Sequence, residues 1–187
     1  MDTEIHLKTP LSVRDVEPLR AGDRVTITGT VYTARDAAHR RLIELIEAGK
    51  ELPIPIEGQV IYYVGPSPAP PGRVIGAAGP TTSYRMDPYA PILLELGLRG
   101  MIGKGKRSKE VVDAMVRYKG VYLAAIGGAG ALMARAVKAA RVVAYDDLGP
   151  EAIRELKVEA LPAVVVNDTL GNDLYKEGQE KYRIGDA

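Results

Sequence analysis

Between residues 24 and 50 the hydrophobic period of the chain changes once, and that change limits what the rest can build. RVTITGTVYT, residues 24–33, alternates β-branched residues with small or polar ones, the period of a half-buried strand, and Gly29 inside it marks a bulge or a close backbone approach. DAAHRRLIELIEAGK, residues 36–50, then sets Ala38, Leu42, Leu45 and Ile46 on one face at three- and four-residue spacings, with Gly49 as a stop signal. A strand that feeds directly into an amphipathic helix is the building step of an α/β fold, in which each element buries its apolar face against the other kind.

The alternation continues. Residues 59–64 form a short apolar segment between the proline-rich loops ELPIPIEG and VGPSPAPPGR, and residues 74–78 are a second short strand. Pro88 takes the first position of a helix that runs to Leu96 and is ended by Gly97, and a strand follows over residues 99–103. Ser108 caps the helix SKEVVDAMVRYKG, whose stripe is Val111, Val112, Met115 and Val116. VYLAAIG is a continuous buried strand. A small-residue helix over residues 129–140 follows, then a strand over 142–145, a short helix over 150–156 and a last core strand in LPAVVVND. The prediction is an α/β fold in one domain over residues 1–187, with a more β-rich first third and a polar end, 176–187, that frays.

Composition removes several classes of function. Lys plus Arg number 25 against 24 Asp plus Glu, which leaves no overall field for a polyanion or a membrane surface, so neither nucleic acid nor membrane is an expected partner. No apolar run approaches the roughly 18–20 residues of a membrane span, and MDTEIHLKTPLS lacks the apolar core of a signal peptide, so the expected location is the cytoplasm. The chain has no cysteine, which excludes disulfides, a thiol nucleophile and any thiolate-held metal supplied by this chain. His6 and His39 are the only histidines, so a histidine metal site is not expected either. Ten tyrosines stand against no Phe and no Trp, so the aromatic part of the core must carry hydroxyls.

Two glycine-rich stretches imitate nucleotide motifs. GMIGKGKRS has phosphate-loop spacing from Gly100 to Lys106, but Arg107 stands where a magnesium-binding Ser or Thr is needed. AIGGAGALMARA follows a strand and opens a helix, with Asp146 and Asp147 further on, which is the layout of a dinucleotide-binding module; Met133 occupies the third glycine position. The plainer reading is that Gly127, Gly128 and Gly130 permit a tight turn and close packing. The basic cluster Lys104, Lys106, Arg107 and Lys109 has no interleaved aromatics for base stacking and reads as a solvated face.

A positional pattern carries more. Arg35, Arg85 and Lys104 each follow a predicted strand, and in open α/β sheets ligands sit outside the carboxyl ends of strands. Two planar guanidinium forks and a movable ammonium suit a small dicarboxylate. Local pairing is the plain alternative: Arg35 with Asp36 or another helix acid, Arg85 with Asp87, Lys104 in solvent, and Thr81 and Thr82 as turn residues.

TARDAAHRRL, the Gly-Pro-Thr-Thr-x-x-Arg-Met-Asp of residues 79–87, and GKGKRS together resemble the β subunit, or carboxyl-terminal domain, of class I iron-sulfur fumarate hydratases and L-tartrate dehydratases, over about residues 5–175. The resemblance implies a swivelling β/β/α domain and a hydro-lyase that acts only with an α subunit, whose cysteines hold a 4Fe-4S cluster. By motif, it carries dicarboxylate binding onto Arg35, Arg85 and Lys104, and proton abstraction onto Thr81, as base or as relay. Fumarate is the expected substrate, with L-tartrate or a methylated fumarate as the alternative and β–β contacts as a further expectation. Lys106 stands where many relatives carry Asn.

Overall fold

A computed structural model describes residues 4–126 and 128–185. The strands are β1 (Ile5–Lys8), β2 (Arg24–Thr33), β3 (Val60–Tyr62), β4 (Gly100–Gly103), β5 (Val121–Ala124), β6 (Val137–Ala144) and β7 (Ile153–Asn167). The helices are α1 (Val13–Val16), α2 (Asp36–Glu47), α3 (Ala90–Glu95), α4 (Lys109–Tyr118), α5 (Gly130–Ala136) and α6 (Leu174–Tyr182). The strand order is β1-β2-β3-β4-β5-β7-β6, with a further pairing of β2 to β7. That pairing closes β2, β3, β4, β5 and β7 into a ring. Its first four members are parallel neighbours, and β7 runs antiparallel to both β5 and β2, with Val164 opposite Ala124 on one side and Arg24 on the other.

Strand alternation divides the interior in two. Val60, Tyr62, Val64, Ile102, Val121 and Leu123 join one apolar cluster, while their neighbours Ile61, Tyr63, Met101 and Tyr122 join the other, under α2, α3 and α4. Strands buried on both faces give near-continuous apolar runs, which is what the sequence shows here. The buried aromatic rings of the hydrophobic core are tyrosines, as expected, and two of their hydroxyls bond to carbonyls. Tyr62 donates to the Ala78 carbonyl, and Tyr122 to the Gly105 carbonyl at 2.9 Å.

The α/β expectation and the exact span of β2 hold. Gly29 lies at φ 122° beside a register shift between β2 and β7, and a β-carbon there would stand 2.4 Å from the Thr9 hydroxyl. Elsewhere the structure corrects the expectation. Residues 74–78 form no strand, because Ala77 turns back on its own loop, accepting from the Ser67 amide at 3.1 Å and donating to the Ser67 hydroxyl at 2.8 Å. Pro88 does not begin a helix. Asp87, which would cap it, has its carboxylate engaged by Arg107 and the Ser108 amide, so α3 starts at Ala90 with Pro91 in its first turn. The helix from residue 129 stops at Ala136, where the chain becomes β6 and pairs with β7; partners on another strand override local helix preference.

The expected helix over 150–156 is a 3₁₀ turn over Asp146–Glu151, broken by Gly149 at positive φ, after which β7 begins. Two helical stripes are rotated: α2 buries His39 and Ile43 in place of Leu45 and Ile46, and α4 buries Ala114 in place of Val112 and Val116. Much of the polar end is helical, since Asp173 caps α6 by accepting from the Tyr175 and Lys176 amides; residues 186–187 lie outside the described residues. No described helix is long and apolar enough to cross a membrane.

Candidate functional site

Because β2, β3 and β4 are parallel neighbours, their carboxyl ends share one edge. Arg35 lies two residues beyond β2 and Lys104 one residue beyond β4. Between them the loop that starts at Gly79 inserts as an added rung. The Thr81 amide donates to the Tyr63 carbonyl at 2.6 Å, the Lys104 amide to the Thr81 carbonyl at 3.2 Å, and the Ser83 amide to the Lys104 carbonyl at 2.9 Å. Thr81 and Lys104 are thus backbone neighbours although 23 positions apart (104 − 81). A 3₁₀ turn over Ser83–Met86 then swings Arg85 to Asp36 at 2.8 Å, beside Arg35. The residues drawn from three separate motifs meet at one rim.

The local pairings differ from those anticipated. Arg85 takes Asp36, and Asp87 takes Arg107 at 2.7 Å. Arg35 takes Glu151 at 3.2 Å, from the turn before β7. Its guanidinium runs over Gly65, where a β-carbon would stand 2.7 Å from Arg35 Nη1. Lys104 is exposed, as the plain reading had it, and no carboxylate pairs with it among the described residues. Partial burial alone would raise the Asp36 carboxyl, but its own backbone N–H, then Arg85, outweigh burial and hold it below the usual carboxylate range.

Beneath the rim lies a buried polar layer. His39 is fully buried between Tyr63 and Tyr89, and its Nδ1 bonds the Arg35 carbonyl at 2.8 Å. A carbonyl only accepts, so the proton is assigned to Nδ1 and Nε2 is a buried acceptor without a partner. Burial pushes the imidazole down to about 4, so it is neutral at neutral pH. Arg107 is not a solvated cation. Its side chain has no exposed surface and lies 5.3 Å from the ring centre of Tyr63 and 5.0 Å from that of Tyr122. Sequence alone offered Asp36 to Arg35 and missed its pairing with Arg85, the pairing of Arg35 with Glu151 and the burial of Arg107, because these partners come from distant segments.

The dinucleotide layout is not formed. The helix after β5 leads to β6, which pairs antiparallel with β7, so this helix does not carry β5 over to a parallel neighbour, and Asp147 is held by Arg41; Gly127 lies outside the described residues. A cavity of about 1050 Å³ lies between α6 and Gly105–Lys106, and none of the four rim residues lines it. No described residues group as three or more potential metal ligands, and with no thiol in the chain the donor set does not fit an iron-sulfur cluster.

The ring and its rim define an α/β protein with a cationic edge at the carboxyl ends of parallel strands. The family described as Fumarase C-terminus matches residues 1–178, and the chain belongs to it. Its relatives include the anaerobic class I fumarate hydratase of Escherichia coli K12, 45% identical over 82% of this chain and 28% of that protein. The mitochondrial fumarate hydratase 1 of Leishmania major is 42% identical over the same shares, 82% and 28%. A putative L(+)-tartrate dehydratase subunit beta of Methanocaldococcus jannaschii is 38% identical over 91% of each chain. The chain therefore spans under a third of the fumarate hydratases named here and nearly all of the subunit.

Proposed function

We propose that this chain is the β subunit of a two-subunit hydro-lyase of the class I fumarate hydratase type, working in the cytoplasm on the reversible hydration of fumarate to L-malate. The observation that carries the reading is the rim: Arg35, Thr81, Arg85 and Lys104 converge from three motifs on one edge. Its near end-to-end match to a relative named as a subunit supports the division into two chains. The class uses a 4Fe-4S cluster, which supplies a Lewis acid for the hydroxyl gained or lost; since this chain offers no thiolate, the cluster belongs to a cysteine-bearing α subunit.

The roles of this chain follow from its own groups. Arg85 and Arg35 present planar forks to the two carboxylates of a dicarboxylate, and Lys104, exposed and without a carboxylate partner among the described residues, adds a charge. Thr81 faces the carbon that gains or loses the proton. A threonine hydroxyl is a poor base unless neighbouring cations stabilise its alkoxide, and Arg85 and Lys104 are the cations that flank it in the loop and across the rung. The tartrate alternative rests on the name of the archaeal relative, since the same cations hold the same pair of carboxylates.

The test is anaerobic mixing of this chain with its α partner and reconstituted cluster, following fumarate absorbance, with each chain alone as control. Turnover only in the mixture is expected. A formed complex with an intact cluster that leaves fumarate untouched but dehydrates L-tartrate replaces the substrate, and one inactive on both overturns the reading.

A further inference from the structure

Arg107 and Asp87 belong to two of the motifs that carry the rim, yet neither has a part in the chemistry just described. Asp87 sits two residues after Arg85, and Arg107 three after Lys104. Arg107 Nε donates to Asp87 Oδ1 at 2.7 Å, and Asp87 Oδ2 accepts from the Ser108 amide at 2.8 Å, so one carboxylate joins the two loops. The guanidinium lies over the rings of Tyr63 and Tyr122, and both serve the rim: the Tyr63 carbonyl holds Thr81, and the Tyr122 hydroxyl bonds Ser83 Oγ at 2.7 Å and the Gly105 carbonyl. A guanidinium with no exposed side-chain surface is costly, and replacing such a pair by apolar residues is often neutral or better for stability. Stability alone therefore gives little reason for this pair.

We infer that the Asp87–Arg107 pair is a positioning device that fixes where Arg85 and Lys104 stand relative to each other at the rim, and so sets how closely a dicarboxylate held by Arg85 and Arg35 must fit beside Lys104. The inference rests on the proposed binding roles of Arg85 and Lys104. It treats neither Asp87 nor Arg107 as touching substrate. The backbone of Thr81 is fixed by hydrogen bonds to the Tyr63 carbonyl and the Lys104 amide, whereas the Arg85 and Lys104 side chains have no such main-chain anchor, so loosening the pair weakens carboxylate binding more than it slows the proton step.

The experiment uses the assembled complex with two variants: Arg107→Lys, which keeps the charge but loses the planar fork and the stacking, and the double variant Asp87→Asn with Arg107→Gln, which leaves no buried charge unpaired. Steady-state KM and kcat for fumarate are measured together with calorimetric binding of succinate, which cannot react. The expected result is a rise of about ten- to a hundredfold in KM and in the succinate Kd, with kcat within a few-fold of wild type. Relative affinity for a dicarboxylate one methylene longer should rise. Folded, assembled variants with unchanged KM and succinate Kd overturn the inference and leave the hydro-lyase reading standing. Equal losses of kcat and of folded complex with KM unchanged show a merely structural pair and also overturn it. A wild-type complex that neither turns over fumarate nor binds succinate overturns both.

Discussion

Arg85 already holds the Asp36 carboxylate at 2.8 Å, so a substrate carboxylate must share that guanidinium or displace its partner. The pair is about one-third exposed on both sides, and such pairs contribute only about 1 kcal/mol or less, so exchange is cheap. Arg85→Ala in the assembled complex should lower kcat/KM for fumarate by roughly a hundredfold or more while leaving assembly intact, as checked by gel filtration and steady-state rates. Wild-type turnover in that variant removes Arg85 from the site. His39 makes a separate prediction. Its folded value near 4 lies below the unfolded value near 6.5, so between those limits the unfolded chain binds more protons. Stability is therefore lost as pH falls from about 6.5 to about 4, by on the order of 3 kcal/mol. His39→Asn, which keeps a donor near the Nδ1 position, should flatten that dependence in urea unfolding at pH 7.5 and pH 5. An unchanged slope would assign the acid sensitivity to other groups.

Among the elements, β2 shows both what local sequence reveals and where it stops. Its period-two pattern and Gly29 were legible because strand alternation and a left-handed glycine are properties of a few consecutive residues. Gly29→Ala should cost at least about 2 kcal/mol, read as a lowered denaturant midpoint, because the added methyl meets Thr9 and the backbone is strained for an L side chain. A midpoint within error of wild type would mean that Thr9 moves away freely. The Ser108 cap was legible for the same local reason. By contrast, residues 137–140 carry helix-favouring lysine and alanines, and only pairing to β7 makes them a strand. The site divides likewise. Placement of Arg35 and Lys104 after strands could be read from hydrophobic runs, whereas the burial of Arg107 depends on Tyr63 and Tyr122, 44 and 15 positions away (107 − 63 and 122 − 107).

At the scale of the whole molecule, the proposed function makes the chain one half of a site, its rim completed by a cluster on the α subunit. Anaerobic reconstitution with iron and sulfide should leave this chain alone without a bound cluster, while the mixture with the α subunit retains one, as measured by iron and sulfide content after desalting. Stoichiometric cluster on this chain alone would overturn the proposed division. The closed ring has a further consequence, for synthesis. One edge of β2 waits for β7, and residues 33 and 153 bound the gap between them. At roughly 5–20 residues per second a ribosome takes on the order of ten seconds to cross it. Throughout that interval about every second residue of β2 presents an unpaired amide and carbonyl on that edge, the template on which a neighbouring nascent chain can add a strand. A polypeptide halted before Ile153 cannot shut that edge by itself, and its fate is a chaperone or another copy.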